Sequence, residues 1–184
     1  MYKCIMQSMQ SKSVARITVR GGAAVRSQGW LTAGPFRCKV ALGRAGIGAN
    51  KREGDGATPR GHFHVLRLWW RPDRLCRPQT RLPLRRIGRN DGWCEDPADR
   101  RYNRPVKLST RQTGDRLWRE DHLYDLIIEL DHNTRPRIAG RGSAVFVHIA
   151  RPGFAPTAGC VALADNSLRQ LLGHIGPQTR IQIG

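Results

Sequence analysis

The sequence predicts a mainly β domain with one or two short helices, one of them directly after Cys160. Three observations predict it. Apolar residues alternate over short runs, the period of a half-buried strand. Gly and Pro punctuate the intervals between those runs. A single stretch, Leu168, Leu171, Leu172 and Ile175, keeps the i, i+3, i+4, i+7 spacing of a helix face. At 184 residues, 39% hydrophobic and 25% charged, the chain has the composition and length of one globular domain with a buried core.

Residues 1–13 are polar and aperiodic and are expected to be a poorly ordered start, followed by a single domain over 14–184. Val14–Arg20 alternates as a strand, and Phe36–Leu42 does so again after the Gly34-Pro35 turn. Gly43–Gly56 is glycine-rich, but no phosphate-binding pattern stands between a strand and a helix, so it reads as a long turn. His62 and His64 share one face of a strand. No carboxylate or cysteine lies at a local ligand spacing, which favours a half-exposed strand face over a metal site. Leu66–Arg89 carries eight arginines with Trp69 and Trp70 and one acid, Asp73, and reads as a solvated basic loop beside a carboxylate-binding cleft.

Asp91–Pro105 gathers acids and aromatics in a turn-prone segment suited to lining or covering a cleft. Nothing places Asp96 and Asp99 across a substrate as a pair of acids. Tyr124–Leu130 and Ala144–Ile149 alternate as strands; in the second, Val145, Val147 and Ile149 share one side, Phe146 and His148 the other. Asp165 is the expected N-cap of the helix, Gly176-Pro177 its stop, and Thr179–Ile183 a closing strand.

The formal charge is +18, and 27 of the 32 basic residues are Arg. Planar guanidinium groups suit carboxylate or phosphate, so a polyanionic partner is expected: nucleic acid, anionic lipid or a carboxylate-rich cell wall. The aromatics of the basic stretch cluster at one end, and no RNP or helix-turn-helix pattern is present, which disfavours nucleic acid. Five cysteines without a CxxC pair argue against a zinc ribbon or a dithiol redox site. Cys4 and Cys38 are expected to be free and buried, while pairing of Cys76 with Cys94 stays open. No run approaches the roughly 18 apolar residues of a membrane span. No secretory h-region is visible near Met1, which reads as cytoplasmic or as an upstream leader missing from the sequence.

His148 ends one apolar run and Cys160 begins the next, with eleven residues between them, among them Pro152, Gly153 and Pro156. Two strands joined by such a loop can set a base beside a thiol, and Gly159 leaves room for a ligand to approach the backbone, whose N–H groups could meet an oxyanion. That combination suits acyl transfer.

Gly159-Cys160-Val161 after an upstream His148, with Thr58-Pro59-x-Gly61-x-Phe63 much earlier, resembles the catalytic domain of the L,D-transpeptidases, the YkuD-type peptidoglycan cross-linking enzymes, over roughly residues 14 to 184. The resemblance implies a β-sandwich or barrel, with Cys160 as nucleophile, His148 as general base, and Gly159 and Cys160 as oxyanion-hole donors. It implies no cofactor and no metal, stem peptides of peptidoglycan as donor and acceptor, and a periplasmic or envelope location; a monomer is expected. Thr157, Ala158 and Ala162 stand where the family usually has Ser, His and Arg, and the spacing from His148 to Cys160 is shorter than usual. Candidate substrate contacts are therefore Arg151, Thr157, Tyr102, Asn103, Arg104 and Arg141, with Arg151, Arg104 or Arg141 replacing the missing cation. The run His148-Ile-Ala-Arg-Pro-Gly and the Gly92-Trp93-Cys94 loop resemble a short, arginine-rich branch associated with cross-links from L-Ala to meso-diaminopimelate (1,3 links), against the better known 3,3 links. The alternatives are hydrolysis of the same bond by an L,D-carboxypeptidase or amidase, and a basic nucleic-acid-binding protein without catalysis.

Overall fold

The computed structural model describes residues 13–109 and 114–184. The expectation of a poorly ordered start, and the state of Cys4, lie outside these residues apart from Ser13. The strands in chain order are β1 (Arg16–Gly21), β2 (Gln28–Ala33), β3 (Phe36–Ala41), β4 (Ile47–Gly48), β5 (Thr58–Pro59), β6 (Gly61–Trp70), β7 (Leu84–Arg86), β8 (Asp91–Trp93), β9 (Pro105–Lys107), β10 (Asp115–Arg116), β11 (Leu126–Leu130), β12 (Phe146–Ile149), β13 (Val161–Leu163) and β14 (Arg180–Ile183). The helix α1 (Asp165–His174) lies between the last two. The domain is mainly β, as its alternating runs predict.

Nine strands form one sheet in the order β11-β12-β13-β3-β2-β1-β14-β6-β7, and β6 also pairs with β11. That extra pairing closes the sheet into a barrel, with β7 as a short strand paired to β6 alone. β6 achieves this through its length. Residues 61–64 pair with β14, and the following residues pair with β11 on one side and β7 on the other. The barrel interior is packed with Ile17, Val19, Leu31, Val40, Leu68, Leu126, Ile128, Val147, Val161 and Ile181, all at most 2% exposed. Leu168, Leu171, Leu172 and Ile175 join that cluster, so the helix stripe read from the sequence is the face that packs on the barrel.

The helix start differs from expectation. Ala164 is the N-cap and makes no side-chain cap, while Asp165 is the first helical residue and pairs with Arg169 at 2.9 Å. A carboxylate there still faces the positive end of the helix dipole. β2 buries every second residue, Gly29, Leu31 and Ala33, although the first of these has no side chain. A Cβ at that position would lie 2.1 Å from the Arg20 carbonyl oxygen, so the close approach of β1 requires glycine.

Beyond the barrel, Trp69, Ile127 and Phe146 point outward from β6, β11 and β12 into a second cluster with Ile87, Trp93, Leu117, Leu123, Tyr124 and Cys160. The excursion from Arg71 to Asp125 supplies most of that cover, which makes these strands buried on both faces. The solvated basic loop expected over Leu66–Arg89 is thereby corrected. Leu66–Trp70 is part of β6, Leu84–Arg86 is β7, and Arg71 is 2% exposed, hydrogen-bonded to Asp73 at 2.9 Å and stacked 3.6 Å over Trp118. Arg85 stacks likewise over Trp69 at 4.2 Å. The tryptophans serve as platforms for guanidinium groups.

Candidate active site

Cys160 and His148 are brought together by the parallel pairing of β12 with β13, in which Val147 faces Val161 and His148 faces Ala162. Side chains two apart on a strand share a face, so Phe146 and His148 both project outward, toward the cover formed by the Arg71–Asp125 excursion. His148 borders a cleft of about 600 Å³ that Cys160 also lines. The cysteine is 8% exposed and the histidine 6%.

The turn before Cys160 is braced by two threonines. Thr157 Oγ1 donates to the Cys160 carbonyl at 2.7 Å and accepts the Gly159 N–H at 3.1 Å. Thr58 Oγ1 accepts the Gly43 N–H at 2.8 Å and reaches the same Cys160 carbonyl at 3.4 Å. This gives the Thr58-Pro59 motif a physical role: a fully buried hydroxyl steadies the backbone of the cysteine from more than a hundred residues away in sequence. Gly159 has φ +150°, and a Cβ there would lie 2.9 Å from the Ala57 carbonyl oxygen, so the turn has room for glycine alone. Its N–H, expected to meet an oxyanion, is accepted here by Thr157 Oγ1.

The Cys160 thiol donates to the Ala144 carbonyl at 3.1 Å and accepts from the Phe146 N–H at 3.4 Å. His148 Nδ1 donates to the Ile149 carbonyl at 2.8 Å, which leaves Nε2 as the lone-pair nitrogen of a neutral imidazole. The Tyr124 ring meets it edge-on at 5.2 Å. Burial pushes the His148 pKa down to about 4, against the opposing hydrogen bond to Ile149. Burial also pushes the Cys160 thiol up to about 12, with the charges of Asp115 and Glu95 adding to it. The resting pair is thiol and imidazole, both uncharged.

Of the other expected contacts, Arg151 and Thr157 line the cleft and Tyr102, Asn103, Arg104 and Arg141 do not. Tyr102 is buried and donates its hydroxyl to Glu53, which raises its pKa after burial has done so first. Asn103 is 3% exposed and ties the excursion to the barrel. Its Oδ1 accepts the Trp93 indole N–H at 2.9 Å and the Ala144 N–H at 3.2 Å, and its Nδ2 donates to the carbonyls of His132 and Asn133 at 3.0 and 2.9 Å. Because the thiol donates to Ala144, Asn103 acts on the site through that residue. Arg104 and Arg141 point away as exposed side chains.

The cleft also contains residues that the sequence reading missed: Lys51, Glu53, Glu95, Asp115, Arg119 and Tyr124. Asp115 accepts the Tyr124 hydroxyl at 2.7 Å, and its pKa is raised by burial first. Burial, then the charges of Asp115 and Glu53, push Glu95 up to about 7. These acids come from three separate segments with no spacing to announce them; Glu95 alone lies in a stretch read as a cleft wall. Cys38, Cys76, Cys94 and Cys160 are all free, and Cys76 is exposed, so Cys76 and Cys94 do not pair. His64 pairs with Asp131 at 3.0 Å on the exposed face expected for it. Among the described residues no helix is long and apolar enough to cross a membrane.

The family model of the L,D-transpeptidase catalytic domain, YkuD, matches residues 15–183. No curated protein and no solved structure matches the chain. The match runs through both the barrel and the turn that carries Cys160, and the chain belongs to the YkuD family of L,D-transpeptidase catalytic domains.

Proposed function

We propose that this chain is a cysteine acyltransferase that cross-links peptidoglycan stem peptides through a Cys160 thioester, joining L-Ala to meso-diaminopimelate. The observation that carries the chemistry is that a buried thiol and a buried imidazole, its Nδ1 committed to the Ile149 carbonyl, line one cleft. With the thiol near 12 and the imidazole near 4, a standing thiolate–imidazolium pair is disfavoured. Proton transfer to His148 Nε2 therefore accompanies attack, once the thiol has turned from the Ala144 carbonyl toward the substrate.

The sulfur attacks the carbonyl carbon on the L side of an L,D bond. The Cys160 N–H receives the oxyanion, Gly159 being committed to Thr157. The departing amine takes the proton from His148, leaving the thioester. A second stem peptide's amine then attacks, its proton returns through His148 to the sulfur, and the thiol is restored. Arg151 and Arg119 line the cleft where the stem peptide's carboxylates would be held, which replaces the family's arginine at the position of Ala162. The 1,3 assignment rests on the resemblance of the His148-Ile-Ala-Arg-Pro-Gly run, and a 3,3 link or hydrolysis is what the product analysis distinguishes. Peptidoglycan as substrate places the activity in the periplasm.

The test is mass spectrometry of muropeptides incubated with purified wild type and Cys160→Ala. Wild type is expected to yield new cross-linked dimers and a Cys160 adduct, with product falling by about 10³-fold or more in the variant. Equal cross-linking by both proteins would overturn the proposal, and shortened stems without dimers would assign the L,D-carboxypeptidase reaction instead.

A further inference from the structure

We propose that Glu95 is the acceptor-binding residue of this cleft: its carboxylate takes up the protonated amine of the second substrate and accepts one proton from it before the amine attacks the thioester. The inference rests on the acyl-transfer reading above.

The cleft is marked as a reaction site independently of its acids, by His148, which is 6% exposed and engages the protein through Nδ1 while its ring lines the cavity. In a chain with 32 basic and 14 acidic residues, that cavity nonetheless gathers Glu53, Glu95 and Asp115. Two of the three are engaged. Glu53 accepts the hydroxyls of Tyr102 and Ser143, the latter at 2.8 Å. Asp115 accepts Tyr124 and lies 3.6 Å from Arg119. Glu95 has neither a hydrogen bond nor an ion pair among the described residues, and its side chain stands at the cleft wall, partly covered by it and partly open to solvent.

Three of the cations that share the cavity are engaged by the protein itself. Lys51 pairs with Asp55, Arg119 with Asp121 at 2.5 Å, and Arg44 donates to the Gly54 carbonyl at 2.9 Å. Arg151 lines the same cavity and is the guanidinium assigned above to the stem peptide's carboxylates. Glu95 and Cys160 line the same cleft, so the carboxylate shares one cavity with the bond to be made. A cationic group brought to this wall would meet an unpaired carboxylate flanked by Asp115 and Glu53.

The chemistry of the second half-reaction requires such a group. The acceptor arrives as an ammonium, which has no lone pair, and must lose a proton before it can attack. Glu95 carboxylate and ammonium become carboxylic acid and free amine. The amine nitrogen then bonds to the thioester carbonyl carbon, the carbon–sulfur bond breaks, and the nitrogen's surplus proton passes through His148 to sulfur. Glu95 returns its proton to solvent. A Glu95 pKa raised to about 7 by burial, then by Asp115 and Glu53, suits a group that must accept and release a proton near neutrality.

The experiment compares wild type, Glu95→Gln and Glu95→Asp in the separate half-reactions. Intact-mass analysis with a stem tetrapeptide donor reads the Cys160 adduct. Transfer is then read with Nα-acetyl-lysine amide, an ammonium at neutral pH, and with hydroxylamine, which is uncharged there. Glu95→Gln is expected to form the adduct and pass it to hydroxylamine but to lose transfer to the lysine amine by about 10²-fold. Glu95→Asp should recover part of that loss. In wild type, lysine transfer should decline as pH falls through about 7, and this limb should vanish in Glu95→Gln. Transfer to lysine by Glu95→Gln at the wild-type rate and pH profile overturns the assignment. Absence of a Cys160 adduct in wild type overturns the acyl-transfer reading itself, and the two failures are thereby told apart.

Discussion

Cys160 is buried, neutral and hydrogen-bonded to Ala144, which makes it a poor nucleophile until a substrate is present. The thiolate is the reactive species, and a pKa near 12 leaves almost none of it at neutral pH. Cys76, by contrast, is free and exposed. Treatment with iodoacetamide at pH near 7 is therefore expected to label Cys76 well before Cys160, with Cys160 labelling rising only as the solution is made strongly alkaline. Peptide mapping checks the order. Preferential labelling of Cys160 at neutral pH would show a standing thiolate and a mechanism unlike the one drawn here.

Among the elements, the connection between the covering excursion and β12 has the sharpest consequence. Asn103, with φ 53°, and Ala144, with φ 49°, both adopt left-handed backbone, and the asparagine side chain joins them. Asparagine tolerates that conformation better than most residues. Asn103→Ala removes four hydrogen bonds, leaving the buried N–H groups of Trp93 and Ala144 and the half-buried carbonyls of His132 and Asn133 without this partner. A cost of about 3 kcal/mol or more follows. Thermal denaturation should show the loss as a lower melting temperature. An unchanged melting temperature would mean that the knot contributes nothing.

At the scale of the whole molecule, +18 of formal charge is carried on a barrel whose covering wall is held by guanidinium–tryptophan stacks and ion pairs. Acid weakens such a molecule in two ways: carboxylates lose their charge, and a buried neutral histidine must be protonated on unfolding. For His148 the folded pKa, about 4, lies below the ordinary 6.5. Its contribution is present above 6.5 and is lost as pH falls to about 4. The full effect is about 3 kcal/mol. Urea unfolding of wild type should lose stability over that interval, and the slope should flatten in His148→Gln; equal slopes would show that His148 is not buried neutral.

The alternation of Val145, Val147 and Ile149 against Phe146 and His148 was enough to assign inward and outward faces, because a strand has only two. The helix stripe after Cys160 was legible for the same reason, since its apolar spacing has one interpretation. The Thr58 and Gly159-Cys160 motifs were legible through the family resemblance, and the structure supplies their physical reason: the backbone at the cysteine takes a buried hydroxyl and a residue without a Cβ. Barrel closure was not legible from strand pattern: it depends on one long strand, β6, changing partners along its length. Tyr102 and Asn103 were read as substrate contacts because their loop was expected at the cleft, yet their side chains turn inward to hold Glu53 and Ala144. The sequence by itself determined a β domain, its helix and the pair His148 and Cys160, all of which follow from local period or neighbouring residues. Only the tertiary structure decided which charges surround that pair, because Lys51, Glu53, Glu95, Asp115 and Arg119 meet through chain crossings that no local spacing encodes.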